Sequence, residues 1–335
     1  MFSKELKYQP QDLEAVKILG DFLPHRIVDM HAHLLDTDHL PSMSNTLPER
    51  VILDVDRYRK EMSPLLCDPK ELLLNIIAYP DKAMADKTNG VTEKCDAFIV
   101  EQLKKDGRCR GEIIVTPADT VESIEKRLVH QGIKGFKCYH LTADREVTWN
   151  ASIGEYLPEA AWEVANKRKM YITLHMVKDH ALSDPDNLNY IREMAKKYPD
   201  AVLILAHAAR SFAAWTGIES VERVCDLENV WFDFSAVCES PAMIQIIKKA
   251  GISRCMWGSD YPISRARGKA ISLADTFYWI YQRDLDNFAS KTKVNNWIIG
   301  IENLFAVRQA AILTDLTRKD IEDFFYNNAV TLWNR

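Results

Sequence analysis

Short apolar segments rich in β-branched residues alternate with longer segments of helical periodicity between residues 27 and 262. This alternation is typical of parallel strands joined by crossover helices. Eight of the short segments have the near-continuous apolar character of strands that are buried on both faces. They span residues 27–31, 73–79, 111–116, 132–139, 170–176, 202–207, 230–235 and 255–259.

The helical pattern places helices between these strands and after the last one. The predicted helices cover residues 121–130, 157–169, 187–198, 241–250, 269–284, 295–313 and 319–333. Asp119 and Thr120 precede the first of them as suitable caps, and Asp184 with Pro185 and Asp186 forms a suitable start for the third.

Eight strands with crossover helices predict an α/β fold, a TIM (β/α)8 barrel that forms a single domain over residues 1–335. We expect the helices within residues 285–335 to close and cap this barrel. An open, doubly wound sheet of similar length is the alternative fold.

Residues 34–72 form an unusually long connection between the first and second strands. The connection leaves the carboxyl end of a strand, where loops shape the active sites of barrels, so we predict a lid or specificity insertion. A surface elaboration or a dimer contact is the alternative interpretation.

Composition and charge narrow the class of partner. With 47% hydrophobic and 27% charged residues, the chain has the composition of a folded globular protein. A net charge of −5 argues against a nucleic-acid or anionic-membrane partner, so we expect a small-molecule substrate, with a homo-oligomer also compatible. Seven cysteines without a Cys-x-x-Cys pair are expected to be reduced, and the absence of a visible signal peptide or long apolar span favours a cytoplasmic protein.

Polar residues end four of the predicted strands. The first strand ends in His31 and His33, the fifth in His175, the sixth in His207 and the eighth in Asp260. In a barrel the reactive groups come from the carboxyl ends of the strands. The sequence therefore predicts an active site at this end of the barrel.

His31 and His33 are two residues apart, which places both imidazoles on one face of a strand. Such a pair alone is also compatible with two unrelated polar residues at a strand end. His175 and Asp260 add nitrogen and oxygen ligands from strands that meet at the same place. This set predicts one divalent metal ion, with Zn²⁺ favoured and Mn²⁺ or Fe²⁺ also compatible.

Two further polar residues allow several interpretations. His207 is a candidate ligand of a second metal, a candidate general base, or a hydrogen-bonded core residue. Asp29 is a candidate for orienting a histidine or a group on the rim, since ligating imidazoles usually donate their second N–H to an acceptor. Its alternative is a carboxylate that accepts from a neighbouring backbone amide.

Lys137 ends the fourth strand between apolar neighbours, where a lysine requires a partner or a path to solvent. Three uses remain open: carbamylation that bridges two metal ions, binding of an anionic substrate group, or extension of the side chain to solvent. Tyr139, His140, Arg145 and Arg210 are candidates for lining the pocket on position alone.

The chain lacks the sequence motifs of several other kinds of enzyme. The sequence contains no Gly-x-Gly-x-x-Gly, no phosphate-binding loop, no Gly-x-Ser-x-Gly and no His-Glu-x-x-His. Dinucleotide binding, nucleotide hydrolysis through a phosphate-binding loop and serine hydrolysis are therefore disfavoured.

Five motifs in order resemble the amidohydrolase superfamily, from residue 27 to about residue 333. They are Asp-x-His-x-His at 29–33, Gly-Phe-Lys at 135–137, Leu-His at 174–175, Ala-His at 206–207 and Gly-Ser-Asp-Tyr-Pro at 258–262. The segment 321–329 is similar as well. Within the superfamily, the chain resembles the branch of TIM-barrel metal-dependent hydrolases related to aminocarboxymuconate-semialdehyde decarboxylase.

The resemblance implies a single metal ion held by His31, His33, His175 and Asp260, with His207 as the acid/base residue. In hydrolytic members the metal activates water and the aspartate of the eighth strand moves the proton, whereas in decarboxylating members the metal binds the substrate as CO₂ leaves. Lys137 resembles the strand 4 lysine of the hydrolytic members and departs from the decarboxylases.

We therefore expect hydrolysis of a C–O or C–N bond in a small carboxylated or cyclic substrate, such as a lactone or amide. The alternatives are a non-oxidative decarboxylase or hydratase of a small aromatic or dienoic acid, and a catalytically silent barrel. The intact set of four scattered ligands disfavours the silent barrel.

Overall fold

The structure is a computed structural model that describes residues 5–287 and 295–335. Its strands are β1 Arg26–Asp36, β2 Ile52–Leu53, β3 Glu71–Ala78, β4 Arg110–Ile114, β5 Ile133–Cys138, β6 Tyr171–Leu174, β7 Val202–Leu205, β8 Val230–Asp233, β9 Cys255–Met256, β10 Gly268–Leu273 and β11 Thr276–Tyr281. Strands β1 and β3 to β9 lie side by side in chain order and pair in parallel. The eight predicted parallel strands are therefore confirmed.

Backbone hydrogen bonds join the two ends of this sheet. The N–H of Met30 donates to the carbonyl of Trp257 over 3.0 Å, and the N–H of His33 donates to the carbonyl of Tyr261 over 2.8 Å. The chain after β9 thus pairs with β1, and the sheet curls as in a TIM barrel. Because the strand order contains no reversal, the doubly wound alternative is wrong.

Helices occupy the connections between the strands. The α-helices are Pro10–Leu19, Pro41–Ser44, Val55–Met62, Val91–Lys105, Val121–Arg127, Glu159–Arg168, Pro185–Lys197, Ala214–Ser220, Pro241–Ala250, Gln282–Asn287, Ile299–Leu313, Arg318–Glu322 and Asn328–Trp333, with a π-helical turn at Asp323–Asn327. Two predicted caps are confirmed: the Thr120 hydroxyl accepts from the N–H of Ser123, and the Asp184 carboxylate accepts from the N–H groups of Asp186 and Asn187.

The predicted helix over residues 269–284 is wrong. Strands β10 and β11 form an antiparallel hairpin there, with Leu273 opposite Thr276 across a two-residue turn. The segment Thr276–Tyr281 reads Thr-Phe-Tyr-Trp-Ile-Tyr, and this β-branched and aromatic composition outweighs the helical spacing of its apolar residues. Ala274 takes a left-handed φ of 53° in the turn.

The C-terminal helices close the barrel at its amino end, as expected for residues 285–335. Leu332 and Trp333 pack in one buried cluster with Val28, Tyr171 and Met256, which point inward from the strands. Of this predicted region, residues 288–294 lie outside the described residues. The carboxyl ends of the strands thus form the barrel's other mouth.

Part of the insertion over residues 34–72 packs against the barrel. Strand β2 pairs with the end of β1, where Leu35 lies opposite Leu53. In the helix Val55–Met62 the fully buried Tyr58 donates its hydroxyl to Asp29 of β1. The insertion therefore supports the strand that carries His31 and His33, and its role as a lid stays a prediction.

Two further expectations concern the cysteines and membranes. All seven cysteines carry free thiols. Among the described residues, no helix combines the length and apolar character that crossing a bilayer requires.

Gly258 lies where the end of the eighth barrel strand approaches β1. A Cβ at this position would lie 2.6 Å from the Cβ of His31 and 3.2 Å from the Cβ of Ser235. We expect Gly258→Ala to lower the free energy of unfolding by about 1–3 kcal/mol, because the neighbouring strands must shift. Urea denaturation followed by circular dichroism measures this difference.

Gly107→Ala is the matched control, since a Cβ there meets no atom within 4 Å. Its free energy of unfolding should stay within about 0.5 kcal/mol of that of the wild type. Equal stability of the two variants would show that Gly258 is not needed for this close approach.

Candidate metal centre

Strand β1 carries His31 and His33 into the mouth of the barrel, and hydrogen bonds at Nδ1 orient both rings. Nδ1–H of His31 donates to Asp233 over 2.9 Å, and Nδ1–H of His33 donates to the carbonyl of Ala78 over 3.0 Å. The register of β1 against β3 shifts between Asp29 and Ala32, a bulge next to these histidines. The Nε2 atoms of the two rings lie 3.2 Å apart, and Nε2 of His31 also lies 3.0 Å from Nζ of Lys137.

Asp260 approaches the same two nitrogens. Its Oδ1 lies 3.7 Å from Nε2 of His31 and 3.7 Å from Nε2 of His33, and the two nitrogens are 3.2 Å apart. Ligands of a tetrahedral zinc ion lie about 3.3 Å from one another, since each bond measures about 2.0–2.1 Å. These three atoms therefore fit one metal ion.

His207 and His175 lie beside this group. The ligand atoms of His31, His207 and Asp260 all lie within 4.8 Å of one another. Nδ1–H of His207 donates to the carbonyl of Ser235 over 3.1 Å, which leaves its Nε2 facing Nδ1 of His175 at 3.1 Å. Nε2 of His175 is buried and has no hydrogen-bond partner among the described residues. A metal ion would supply the partner that this nitrogen lacks.

Burial disfavours the charged form of three of these histidines. Burial lowers the pKa of His33, His175 and His207 well below the ordinary value, and neighbouring histidines lower it further. Only the neutral imidazole offers a lone pair to a metal. Burial also raises the pKa of Asp260 to about 6, against the opposing charges of His31 and Lys137.

A left-handed turn holds His207 in place. His207, Ala208, Ala209 and Arg210 have φ values of 58°, 51°, 60° and 57°. This conformation costs about 1–2 kcal/mol per residue that is not glycine, and such strain is concentrated at functional sites. The turn is held by the backbone N–H of His207, which donates to Asp233 over 3.1 Å.

Asp233, at the end of β8, is missing from the predicted site. It accepts from Nδ1–H of His31 and from the backbone N–H groups of His207 and Ser235. Burial opposes its ionisation, but the charge and hydrogen bond of His31 hold the pKa of Asp233 below its usual range. Its position at a strand end, like that of Asp260, was the signal that could have identified it.

Asp29 performs the second of its two predicted roles. Its carboxylate accepts from the backbone N–H groups of His31 over 3.0 Å and Ser259 over 2.9 Å, and from the Tyr58 hydroxyl. Asp29 therefore joins the first and last barrel strands and bonds to no histidine ring among the described residues.

Lys137 is fully buried in the barrel, so extension to solvent is wrong. Its Nζ lies 3.0 Å from Nε2 of His31. Burial lowers the pKa of Lys137, while the charge of Glu112 acts in the opposite direction. Glu112, which the sequence prediction also omitted, is buried on β4, and burial raises its pKa to about 7. Carbamylation and substrate binding stay open for Lys137.

The four residues predicted to line the pocket differ in their distance from the metal centre. The ring of Tyr139 lies 4.4 Å from that of His175 and 4.8 Å from that of His140. Arg210 is the last residue of the left-handed turn that begins at His207. Arg145 points elsewhere, because it forms an ion pair with Glu155 at 3.0 Å.

Aromatic side chains of the β10–β11 hairpin cover one side of the mouth. The ring of Phe212 lies 5.2 Å from that of His207, and Phe277 and Trp279 pack against Phe212 at 5.0 and 5.2 Å. The sequence predicted a helix for this segment, so the hairpin beside the mouth was not expected.

A curled parallel sheet with histidines and an aspartate at the carboxyl ends of its strands has the arrangement of a barrel enzyme. The model of the amidohydrolase family matches residues 28–335. The chain therefore belongs to the amidohydrolase family and is an enzyme. No curated protein matches the sequence.

Solved structures of low sequence identity share the fold. A zinc-bound amidohydrolase from Burkholderia multivorans is 12% identical with a TM-score of 0.58, over 92% of this chain and 99% of that chain. A probable 2-pyrone-4,6-dicarboxylic acid hydrolase from Acinetobacter baumannii, with citric acid bound, is 13% identical with a TM-score of 0.56, over 92% and 100%. A dihydroxybenzoic acid decarboxylase from Polaromonas sp. JS666, with manganese and 2-nitroresorcinol bound, is 15% identical with a TM-score of 0.54, over 92% and 98%.

Asp233→Asn tests whether the carboxylate of Asp233, at the end of β8, supports the metal centre. An amide in place of this carboxylate weakens the acceptor that holds His31, so we expect metal affinity to fall about 10- to 100-fold. Competition with a chromophoric chelator for Zn²⁺ measures the affinity.

The matched control is Asp226→Asn, which removes a carboxylate that pairs with Arg192 at an exposed position. It should bind Zn²⁺ as the wild type does. If Asp233→Asn also retains wild-type affinity, Asp233 does not support the metal centre.

Proposed function

We propose that this enzyme is a metal-dependent hydrolase that cleaves a C–O or C–N bond of a small carboxylated or cyclic substrate, such as a lactone or amide. The observation that carries the proposal is the convergence of His31 Nε2, His33 Nε2 and Asp260 Oδ1, which lie 3.2–3.7 Å from one another at the mouth of the barrel. Both imidazoles are oriented through Nδ1–H, and this turns both Nε2 atoms towards the same point.

The proposed cofactor is one divalent ion held by His31, His33, His175 and Asp260, with zinc favoured and manganese or iron compatible. Such an ion lowers the pKa of water and polarises a carbonyl group. A second ion requires a carbamylated Lys137, whose Nζ lies within reach of His31.

The protein's own groups then move the protons. Asp260 is buried at the mouth of the barrel, and its carboxylate takes a proton from the attacking water. Nε2 of His207 carries a lone pair, because its Nδ1–H donates to the carbonyl of Ser235. We assign His207 to the acid/base role, in which Nε2 takes the water-derived proton from Asp260 and passes it to the leaving group.

Non-oxidative decarboxylation of an aromatic or dienoic acid is the second candidate. The rings of Tyr139, Phe212 and Phe277 beside the site favour a planar substrate. The shared fold of the dihydroxybenzoic acid decarboxylase is compatible with this reaction.

Alanine variants of the histidines separate ligands from proton carriers. His33→Ala and His175→Ala should lose bound metal, whereas His207→Ala should keep it and lose about 10²–10⁴-fold in turnover. Inductively coupled plasma mass spectrometry on the purified variants measures metal content. Loss of metal from His207→Ala with retention in His175→Ala would reverse the two assignments.

Isotope labelling separates the two reactions. When lactones, amides and aromatic acids are incubated with the enzyme in H₂¹⁸O, hydrolysis places one ¹⁸O in the product. Decarboxylation instead releases CO₂ and leaves the remaining product without solvent oxygen. Release of CO₂ without incorporation of ¹⁸O would contradict the hydrolase proposal, as would full activity of a metal-free preparation.

A further inference from the structure

Asp260 reaches the metal centre from a strained backbone conformation. Its φ of 57° lies in the left-handed region, which costs free energy in any residue that carries a Cβ. Its backbone N–H donates to the carbonyl of His31 over 2.7 Å, and its Oδ1 lies 3.7 Å from Nε2 of His31 and of His33. Such strain persists only where the surrounding structure fixes it, so the neighbours of Asp260 must be held in place.

The residue before Asp260 is held through Asp29. The carboxylate of Asp29 accepts from the N–H of Ser259 over 2.9 Å and from the hydroxyl of Tyr58. Tyr58 belongs to the helix Val55–Met62 of the long insertion. Asp29 and Tyr58 are fully buried, so solvent does not compete for these bonds. The insertion thus reaches one side of Asp260.

The residue after Asp260 is held by the same helix. The hydroxyl of Tyr261 donates to Oε2 of Glu61 over 2.9 Å, and both side chains are buried. The ring of Tyr261 also packs edge-on against that of Tyr58, with centroids 5.1 Å apart. Tyr58 and Glu61 are three residues apart, which places them on one face of the helix. This face therefore contacts both sides of Asp260.

Two arginines fix the carboxylate of Glu61. Nε of Arg265 lies 2.8 Å from Oε2, and Nη2 of Arg265 donates to Oε1 over 3.1 Å. Nε of Arg57 donates to Oε1 over 3.1 Å from the preceding turn of the helix. A buried ion pair with contacts at both carboxylate oxygens restricts both side chains. Arg265 lies five residues after Asp260, so this pair joins the loop that carries Asp260 to the insertion helix.

We propose that Tyr58 and Glu61 are positioning residues, which hold Asp260 from both sides so that its carboxylate faces the two histidines of β1. The role of Asp260 as a metal ligand rests on the proposed function, whereas the hold on its backbone does not. The helix Val55–Met62 is then a fixed support for a ligand of the metal, and a displacement of this helix would displace Asp260.

Removal of two hydroxyl groups tests these contacts without removing a ring or a charge. Tyr58→Phe deletes the bond to Asp29, and Tyr261→Phe deletes the bond to Glu61. We expect the double variant to bind Zn²⁺ about 10- to 100-fold more weakly, the usual effect of losing groups that orient a ligand. Competition with a chromophoric chelator measures the affinity. The visible spectrum of the Co²⁺-loaded variant should also differ from that of the wild type, because it reports the ligand geometry.

Hydrogen–deuterium exchange of the metal-free protein, followed by mass spectrometry, measures the hold on the backbone itself. In the double variant the amides of residues 259–265 should exchange about 10-fold faster than in the wild type, because two buried hydrogen bonds no longer oppose local opening. Tyr8→Phe is the matched control, since it deletes a hydroxyl bond of 2.7 Å to the backbone carbonyl of Glu61 on the same helix. It should leave Zn²⁺ affinity and the exchange of residues 259–265 unchanged.

The positioning role and the proposed function fail in different ways. The positioning role is overturned if the double variant keeps wild-type exchange at residues 259–265, or if Tyr8→Phe accelerates exchange there equally. It is also overturned if exchange rises while Zn²⁺ affinity and the Co²⁺ spectrum stay those of a metal-binding wild type. If the wild type binds neither ion and the double variant still exchanges faster, the hold on Asp260 stands and the proposed metal-dependent function falls.

Discussion

The arrangement of the site depends on the buried carboxylate of Asp233. It accepts from the ring of His31 and from the backbone N–H of His207, and so links the first, sixth and seventh strands of the parallel barrel. A buried charge is stable only when it is paired and hydrogen-bonded, and these donors meet that condition. The same bonds fix the His31 tautomer and hold the strained turn that begins at His207.

The position of Lys137 at the centre of the barrel conflicts with metal binding. Its Nζ bonds to Nε2 of His31, the lone pair that the proposed metal would use. An ammonium group and a metal ion cannot share one lone pair, so binding of the metal requires Lys137 to move, lose its proton or react. Burial already lowers its pKa, which reduces the cost of the neutral form. Glu112 is buried nearby, and burial raises its pKa. Its negative charge favours the protonated form of Lys137 and so opposes loss of the Lys137 proton.

Most of the barrel and the centre of the site were predictable from the sequence, because both rest on local patterns. Each parallel strand is a short apolar segment, and His31, His33, His175, His207 and Asp260 end such segments. What escaped prediction depends on contacts between distant parts of the chain. Asp233 also ends an apolar segment, but its bond to His31 joins distant parts of the chain and is visible only in the fold. Arg145 and Arg210 were indistinguishable by position until the ion pair with Glu155 separated them. The hairpin was missed because the helical spacing of its apolar residues was weighted above their strand propensity.

One metal ion is proposed to bind where these side chains converge. Anomalous diffraction from crystals grown with Zn²⁺ locates such an ion. We expect a single zinc peak about 2.0–2.2 Å from Nε2 of His31, His33 and His175 and from Oδ1 of Asp260, with Lys137 Nζ no longer bonded to His31. A zinc-saturated crystal with no peak at this position, and with Lys137 still bonded to His31, would contradict it.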